Sequence, residues 1–276
     1  MRDIVENRSR ISFARKLRLA RLVLRENGAR WSFLLLIYYA ASSLAHRAFT
    51  SMDRLRRGQG LPGLNSSTLN REIWNAWDWN AAGDEWTVSD DWKESLIRCV
   101  LEPEVPMGSV VLEIGPGAGR WTGPLLARCG AYTGIDISAA CIERCQHRFA
   151  GEPRARFVIG SGRDLAPIAD ESIDVIWSFD VFVHVNRTEV ASYLQEFARV
   201  LRPGGVGIVH HGTVGGASGG WRSDLTASAW RGILSQQKFS PIRSLGRWSD
   251  DDTVHTLQYD DMITVFAKPA TPPVVS

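Results

Sequence analysis

The sequence predicts an α/β protein, a doubly wound and mostly parallel sheet preceded by a helical N-terminal extension. Two observations carry this. From Ser109 onward, short apolar strands alternate with helical stretches, the pattern of a parallel sheet covered on both faces. Residues 1–57 hold 13 Lys/Arg against 4 Asp/Glu, whereas the rest of the 276-residue chain balances to −7. A basic arm therefore precedes a mildly acidic body. With 44% hydrophobic and 22% charged residues, the composition is that of an ordinary globular protein.

The arm, residues 1–57, contains the Arg-rich stretch 8–25 and then the uncharged, apolar segment 31–45. That segment falls short of the roughly 20 residues needed to cross a bilayer. Its likeness to a secretory signal is faint, because it begins late and has many arginines ahead of it. Two readings stay open. The segment packs as a helix on the body or a second subunit, or it lies at a membrane surface with the arginines meeting anionic lipid.

A Gly-rich break at 58–63 leads into Trp74, Trp77, Trp79, Trp86 and Trp92. Residues 58–85 read as a linker or lid, and residues 86–276 as the main domain. Indoles this dense make a packed lid or a stacking surface for a sugar or ring. Asp90 or Asp91 is placed to cap a helix running to Leu101 and stopped by Pro103. Strands are expected at 110–114, 131–135, 156–159, 173–179 and 206–210. Helices are expected at 119–129, 138–149, 188–201 and 224–236, with β-rich runs at 239–248 and 253–267. Cys99, Cys129, Cys141 and Cys145 include no CxxC pair, which fits free thiols in a reducing cytoplasm.

The segment Leu112-Glu113-Ile114-Gly115-Pro116-Gly117-Ala118-Gly119-Arg120-Trp121 runs a strand into three glycines and a helix. Such glycines allow positive φ and close approach of backbone to ligand. The spacing is GxGxG, not the GxGxxG of dinucleotide binders. Glu113 at the strand end suits a cationic amino-acid ligand better than a pyrophosphate. Asp136, seventeen residues after Gly119, ends the next strand, where a carboxylate accepts both hydroxyls of a ribose.

With LEIGPGAG, GIDIS, ADESIDVIWSFDVFVHV and LRPGG in this order, the chain resembles class I S-adenosylmethionine-dependent methyltransferases over residues 86–267. The resemblance implies a seven-stranded sheet with an antiparallel last strand. It implies that Glu113, Gly115 and Gly117, with Gly119 completing the loop, surround the methionine part of S-adenosylmethionine, and that Asp136 holds its ribose. The adenine is then expected around residues 162–165. Here Gly162 departs from the family's acidic residue, so Asp164 is read as its substitute and Leu165 or Ile137 as the ring's sandwich.

Methyl transfer needs alignment, exclusion of water and, for a hydroxyl acceptor, a base. Asp180 and His184 follow the fourth strand, and His210 and His211 end the fifth. Alternation sends only one of the last two toward the cleft. His211 and His210 are the first candidates for the base, followed by His184, with Asp180 beside them. The Asp/Asn/Ser-Pro-Pro-Tyr/Phe tetrapeptide of exocyclic-nitrogen methylases is missing; Ser178-Phe179-Asp180-Val181 stands there. The expected acceptor is a hydroxyl of a saccharide or other small metabolite, since WNAWDWNAAGDEW, FVHV and HHG…GGWRS resemble saccharide O-methyltransferases. Alternatives are a nucleic-acid-associated methyltransferase and a cofactor binder without catalysis. No nucleic-acid module is recognisable, so no nucleic-acid partner is expected. The partners considered are the acceptor, a membrane surface or subunit contact through residues 8–45, and a second copy of the chain. The expected location is the cytoplasm, peripherally at a membrane if the arm binds lipid. A Mg²⁺ variant would draw on Asp180, His184, His210 or His211 and the run Asp250-Asp251-Asp252, although no spacing rule defines that ligand set.

Overall fold

The computed structural model describes residues 13–216 and 221–270. The chain divides into two compact units, Met1–Leu61 and Pro62–Ser276. In the first, α1 (Phe13–Gln59) is helical throughout except at Gly28, whose φ of 77° and ψ of 167° break it in two. Residues 8–12 of the basic stretch lie outside the described residues. No described helix is long and apolar enough to cross a membrane.

The second unit opens with α2 (Ser67–Ala76), capped by the Ser66 hydroxyl on the Leu69 amide. Next is α3 (Asp90–Leu96), which continues through a π turn, Ile97–Leu101, and a last turn, Glu102–Glu104. Two expectations are corrected here. The cap is the Ser89 hydroxyl, bonded to the Trp92 amide, rather than Asp90 or Asp91. Pro103 does not stop the helix. The π turn before it already departs from i to i−4 pairing, and the Cys99 carbonyl four residues back accepts from Arg243 Nη2 at 3.4 Å.

The α/β body then runs β1 (Val110–Ile114), α4 (Thr122–Leu126), β2 (Ala131–Asp136), α5 (Ala139–Arg148), β3 (Ala155–Ile159), β4 (Ile173–Phe182), α6 (Arg187–Val200), β5 (Leu201–His211) and α7 (Ala227–Gln236). It closes with β6 (Ser240–Leu245), a hairpin of β7 (Arg247–Asp250) and β8 (Thr253–Thr256), and β9 (Met262–Ala267). The seven-stranded sheet has the order β3-β2-β1-β4-β5-β9-β6. β1 to β5 pair in parallel, and β9 runs antiparallel to both β5 and β6. This is the class I methyltransferase topology, with the last strand antiparallel as expected.

Strand alternation distributes the core between the two faces. Ile176 and Val209 join Phe182, Phe197, Trp230 and Phe266 under α6 and α7. Val175, Trp177 and Ile208 join Leu96, Leu101 and Leu125 under α3 and α4. Close packing leaves Gly119 no room for a side chain. A Cβ there would stand 2.5 Å from the Phe149 ring, at a φ of +92° that L residues rarely adopt. Gly119→Ala is expected to cost about 1–3 kcal/mol, from overpacking and backbone strain together, read as a lower denaturant midpoint at unchanged m-value.

Candidate active site

The carboxyl ends of β1, β2, β4 and β5 surround a cavity of about 540 Å³, the position where open α/β sheets bind ligands. One wall is the loop after β1. Gly115 (φ 71°) and Gly117 (φ 57°) hold it in a left-handed path. The Gly115 amide donates to the Ile135 carbonyl at 2.8 Å. A Cβ on Gly115 would collide with Val181 at 2.3 Å, and one on Gly117 would press on the Trp79 ring at 3.1 Å. Asp136 is buried at the end of β2. Its two oxygens accept from the amides of Gly117 (3.1 Å) and Ser138 (2.8 Å). Burial outweighs those bonds and raises its pKa to about 6. Ile137 lines the same wall.

Four expected cofactor contacts stand outside the cavity lining. Glu113 is buried beneath the loop, where Tyr132 Oη (2.5 Å) and Thr122 Oγ1 (2.8 Å) donate to its Oε2. Burial pushes its pKa to about 7. Gly119 packs on Phe149. The Asp164 carboxylate accepts from Ser161 Oγ and the Ala166 amide, closing its own turn. Leu165 is fully buried in the helix-covered core. Gly162 does line the cavity, and a Cβ there would strike Ile137 Cδ1 at 2.5 Å. The missing acidic residue thus makes way for Ile137.

Glu113 carries a stability prediction. A folded pKa of about 7 against 4.5 in the open chain means that the contribution is complete below pH 4.5 and lost as pH rises through 7. The stability of wild type relative to Glu113→Gln is expected to fall by about 3 kcal/mol over that window, measurable by urea unfolding at a series of pH values. A pH-independent difference would contradict the assignment.

Opposite the loop, charges alternate across the cavity. Arg120 Nη1 donates to Asp180 Oδ2 at 2.6 Å, and His210 Nδ1 lies 3.0 Å from Asp180 Oδ1. His210 Nε2 lies 3.4 Å from Asp261 Oδ2, and Arg222 Nη2 donates to Asp261 at 2.5 Å. Burial opposes the Asp180 charge, yet His210 and Arg120 outweigh it and hold its pKa at about 2. Burial likewise works against the His210 cation, but Asp180 and Asp261 raise its pKa above the ordinary value. His210 Nδ1 is also 3.2 Å from the Asp180 amide. There the Asp180 amide donates to Nδ1, which can donate to the carboxylate instead only when that nitrogen is protonated.

As strand alternation required, only one of the adjacent histidines faces the cavity, and it is His210. His211 falls on the α7 side of the sheet, stacked on Trp230, with its ring nitrogens 3.0 Å from Gly212 O and 2.8 Å from Thr264 Oγ1. Burial pushes its pKa down to about 4. It is a packed neutral histidine outside the cavity lining.

His184 follows a bulge in β4, where Asp180 takes a φ of 60° and the register with β5 shifts. Its ring packs against Trp221 (4.4 Å between centroids) and Trp74 (5.6 Å), which also touch each other. Nδ1 sits 3.1 Å from the Trp221 carbonyl, so Nδ1 carries the proton and Nε2 the lone pair. Burial lowers the pKa, the Trp221 carbonyl opposing it. Asn65 and Asn70 hold the segment by donating to the His184 carbonyl at 3.2 and 3.0 Å. Trp74, Trp79, Trp86 and Trp221 pack against one another around the opening. The Trp-rich stretch is therefore a wall of this unit.

Sequence reasoning missed Arg120, Arg222, Asp261 and Trp221. Arg120 adjoins the glycine loop, and Trp221-Arg222 closes a Gly-rich loop after β5, which were the available signals. Gly219 and Gly220 of that loop lie outside the described residues. Among the described residues, no cluster of three or more His, Cys, Asp or Glu is placed to hold a metal ion, so the Mg²⁺ reading has no support. Asp250 pairs with Arg98, and Asp251 (φ 50°) turns the β7–β8 hairpin.

Fold, glycine loop and buried strand-end carboxylate together resemble those of class I S-adenosylmethionine-dependent methyltransferases. Residues 112–209 match the family described as "Methyltransferase domain". A Mycobacterium avium protein described as "Putative O-methyltransferase" is 33% identical over 120 residues, 41% of this chain and 52% of its own length. A counterpart in Mycobacterium bovis is 32% identical over 131 residues, 45% of this chain and 56% of its own length. The chain thus spans about half the length of the curated relatives it matches. Among solved structures, the NodS N-methyltransferase of Bradyrhizobium japonicum with S-adenosyl-l-homocysteine aligns with a TM-score of 0.57 at 18% identity. That alignment covers 74% of this chain and 98% of that one. A Haloferax volcanii "putative methyltransferase", solved with its Trm112 activator, gives 0.58 at 20% identity, covering 73% and 98%. At such identities these two establish the fold alone.

The residues present fit S-adenosylmethionine. The backbone of Gly115 and Gly117 lines the cavity, and Asp136 offers a buried carboxylate beside it.

Proposed function

We propose that this protein transfers a methyl group from S-adenosylmethionine to a hydroxyl of a small polar acceptor, a saccharide, with His184 as the general base. The observation that carries the reading is His184 itself, neutral, with Nδ1 committed to Trp221 and Nε2 free to accept a proton. S-adenosylmethionine supplies an electrophilic methyl group on a sulfonium. Gly115, Gly117, Asp136 and Ile137 would hold it.

The other titratable groups are poorly suited to the base's role. Asp180, at a pKa of about 2, is too weak a base. Asp180 and Asp261 raise the pKa of His210, which makes it a less available proton acceptor at neutral pH than His184. Arg120, Asp180, His210, Asp261 and Arg222 act as a fixed polar floor that hydrogen-bonds the acceptor. Trp74, Trp86 and Trp221 offer indole faces for the C–H face of a sugar ring and keep water from the site. The description carried by the mycobacterial relatives supports oxygen as the acceptor atom.

The test is a screen of saccharides and matched amines with S-adenosylmethionine, with products read by mass spectrometry. Gain of one methyl on a hydroxyl is expected. Transfer to the amines alone would overturn the reading.

A further inference from the structure

The charges of residues 13–59 are segregated along the helix. Arg18, Arg21 and Arg25 adjoin a face formed by Leu17, Ala20 and Leu24 in α1, the i, i+3, i+7 spacing of an amphipathic helix. The helix breaks at Gly28. From Trp31 the pattern changes. Residues 31–45 carry no charge, and Trp31, Phe33, Leu34, Leu36, Ile37 and Tyr38 point outward all round the helix, 48–66% exposed. A helix apolar on every side requires an apolar surround. Basic residues resume at Arg47 and continue to Arg57. The uncharged stretch is about 22 Å long, against about 30 Å for a bilayer's hydrocarbon core. It is long enough to enter a membrane and too short to cross one.

We propose that residues 13–59 dock the protein onto an anionic phospholipid surface. The segment before Gly28 lies along the headgroups through its arginines, and residues 31–45 enter the acyl region. The hinge falls at the boundary between the two chemistries, so each half takes the orientation its own residues require. Charge decides the occupant. A second copy of the arm would bring arginines against arginines at both ends of the apolar stretch, whereas anionic lipid neutralises them. The inference is independent of the methyl-transfer reading.

The test uses the full chain and co-sedimentation with vesicles of phosphatidylcholine, with and without phosphatidylglycerol. Binding is expected to the anionic vesicles, weakening as salt is added. The triple variant Arg18→Ala/Arg21→Ala/Arg25→Ala is expected to lose roughly a hundredfold in partitioning. Leu36→Asp/Ile37→Asp is expected to abolish it. Brominated acyl chains are expected to quench part of the tryptophan fluorescence, and Trp31→Phe to remove that part. Calorimetric affinity for S-adenosylhomocysteine reports whether each variant is folded. Equal binding to both vesicle types, or none, would overturn the proposal. So would a wild-type oligomer that ignores lipid and dissociates in Leu36→Asp/Ile37→Asp, since a second copy would then be the occupant.

Discussion

His184→Ala is expected to lower kcat by about 10²–10⁴-fold, the range for loss of a general base, with S-adenosylmethionine affinity nearly unchanged. The affinity is spared because Gly115, Gly117 and Asp136 stand on β1 and β2, whereas His184 follows β4. The pH dependence separates this account from the other histidines. A base must be unprotonated, and burial lowers the pKa of His184. The acid limb of kcat should therefore lie below the ordinary histidine value, with a plateau by neutral pH. His210 is raised instead; as the base it would push the limb above that value. His211→Ala should reduce stability by exposing the Trp230 face while leaving kcat of the folded enzyme within a few-fold. If His184→Ala keeps near-wild-type kcat, another group takes the proton.

Cofactor affinity has the second large effect. Asp136→Ala removes the buried carboxylate proposed to hold the ribose and should cost roughly 2–4 kcal/mol of S-adenosylmethionine binding, or about 30- to 1,000-fold in Kd. Asp136→Asn keeps one acceptor oxygen and should fall between the two. Gly117→Arg forces a side chain toward the Trp79 ring, where even a Cβ stands at 3.1 Å. Titration calorimetry should detect no binding to that variant. Wild-type affinity in folded Asp136→Ala and Gly117→Arg together would remove the cofactor from this cavity.

The fold was legible because its signals are local or periodic. The strand alternation that placed Val175 and Trp177 on one face and Ile176 on the other also required that His210 and His211 part company. Which of them meets the cavity depended on the pairing of β5 with β4 and β9, and sequence periodicity is silent on that. Placing His184 first among the histidines is the proposal's own step, and sequence could not supply it for a similar reason. The bulge at Asp180 redirects the chain after β4, and the ring's tautomer is set by a carbonyl 37 residues away. Gly115, Gly117, Asp136 and Ile137 could be read because a single strand–turn–helix carries them or adjoins it. Asp164, read for the adenine pocket, stands outside the cavity lining with its carboxylate accepting bonds inside its own turn. Glu113 sits beneath the loop, where Tyr132 and Thr122, on neighbouring elements, donate to it. Arg222 and Asp261 come from opposite ends of the β5–β9 segment and meet only in the folded protein.

Nitrogen-15 NMR of histidine-labelled protein tests the catalytic account most directly, with His184→Gln assigning its signals among the chain's 6 histidines. At neutral pH the account predicts a neutral His184 ring with Nδ1 protonated and Nε2 bare. The His184 signals should move when S-adenosylhomocysteine is added. A His184 that is protonated at neutral pH, or that carries its single proton on Nε2, would contradict its role as the base.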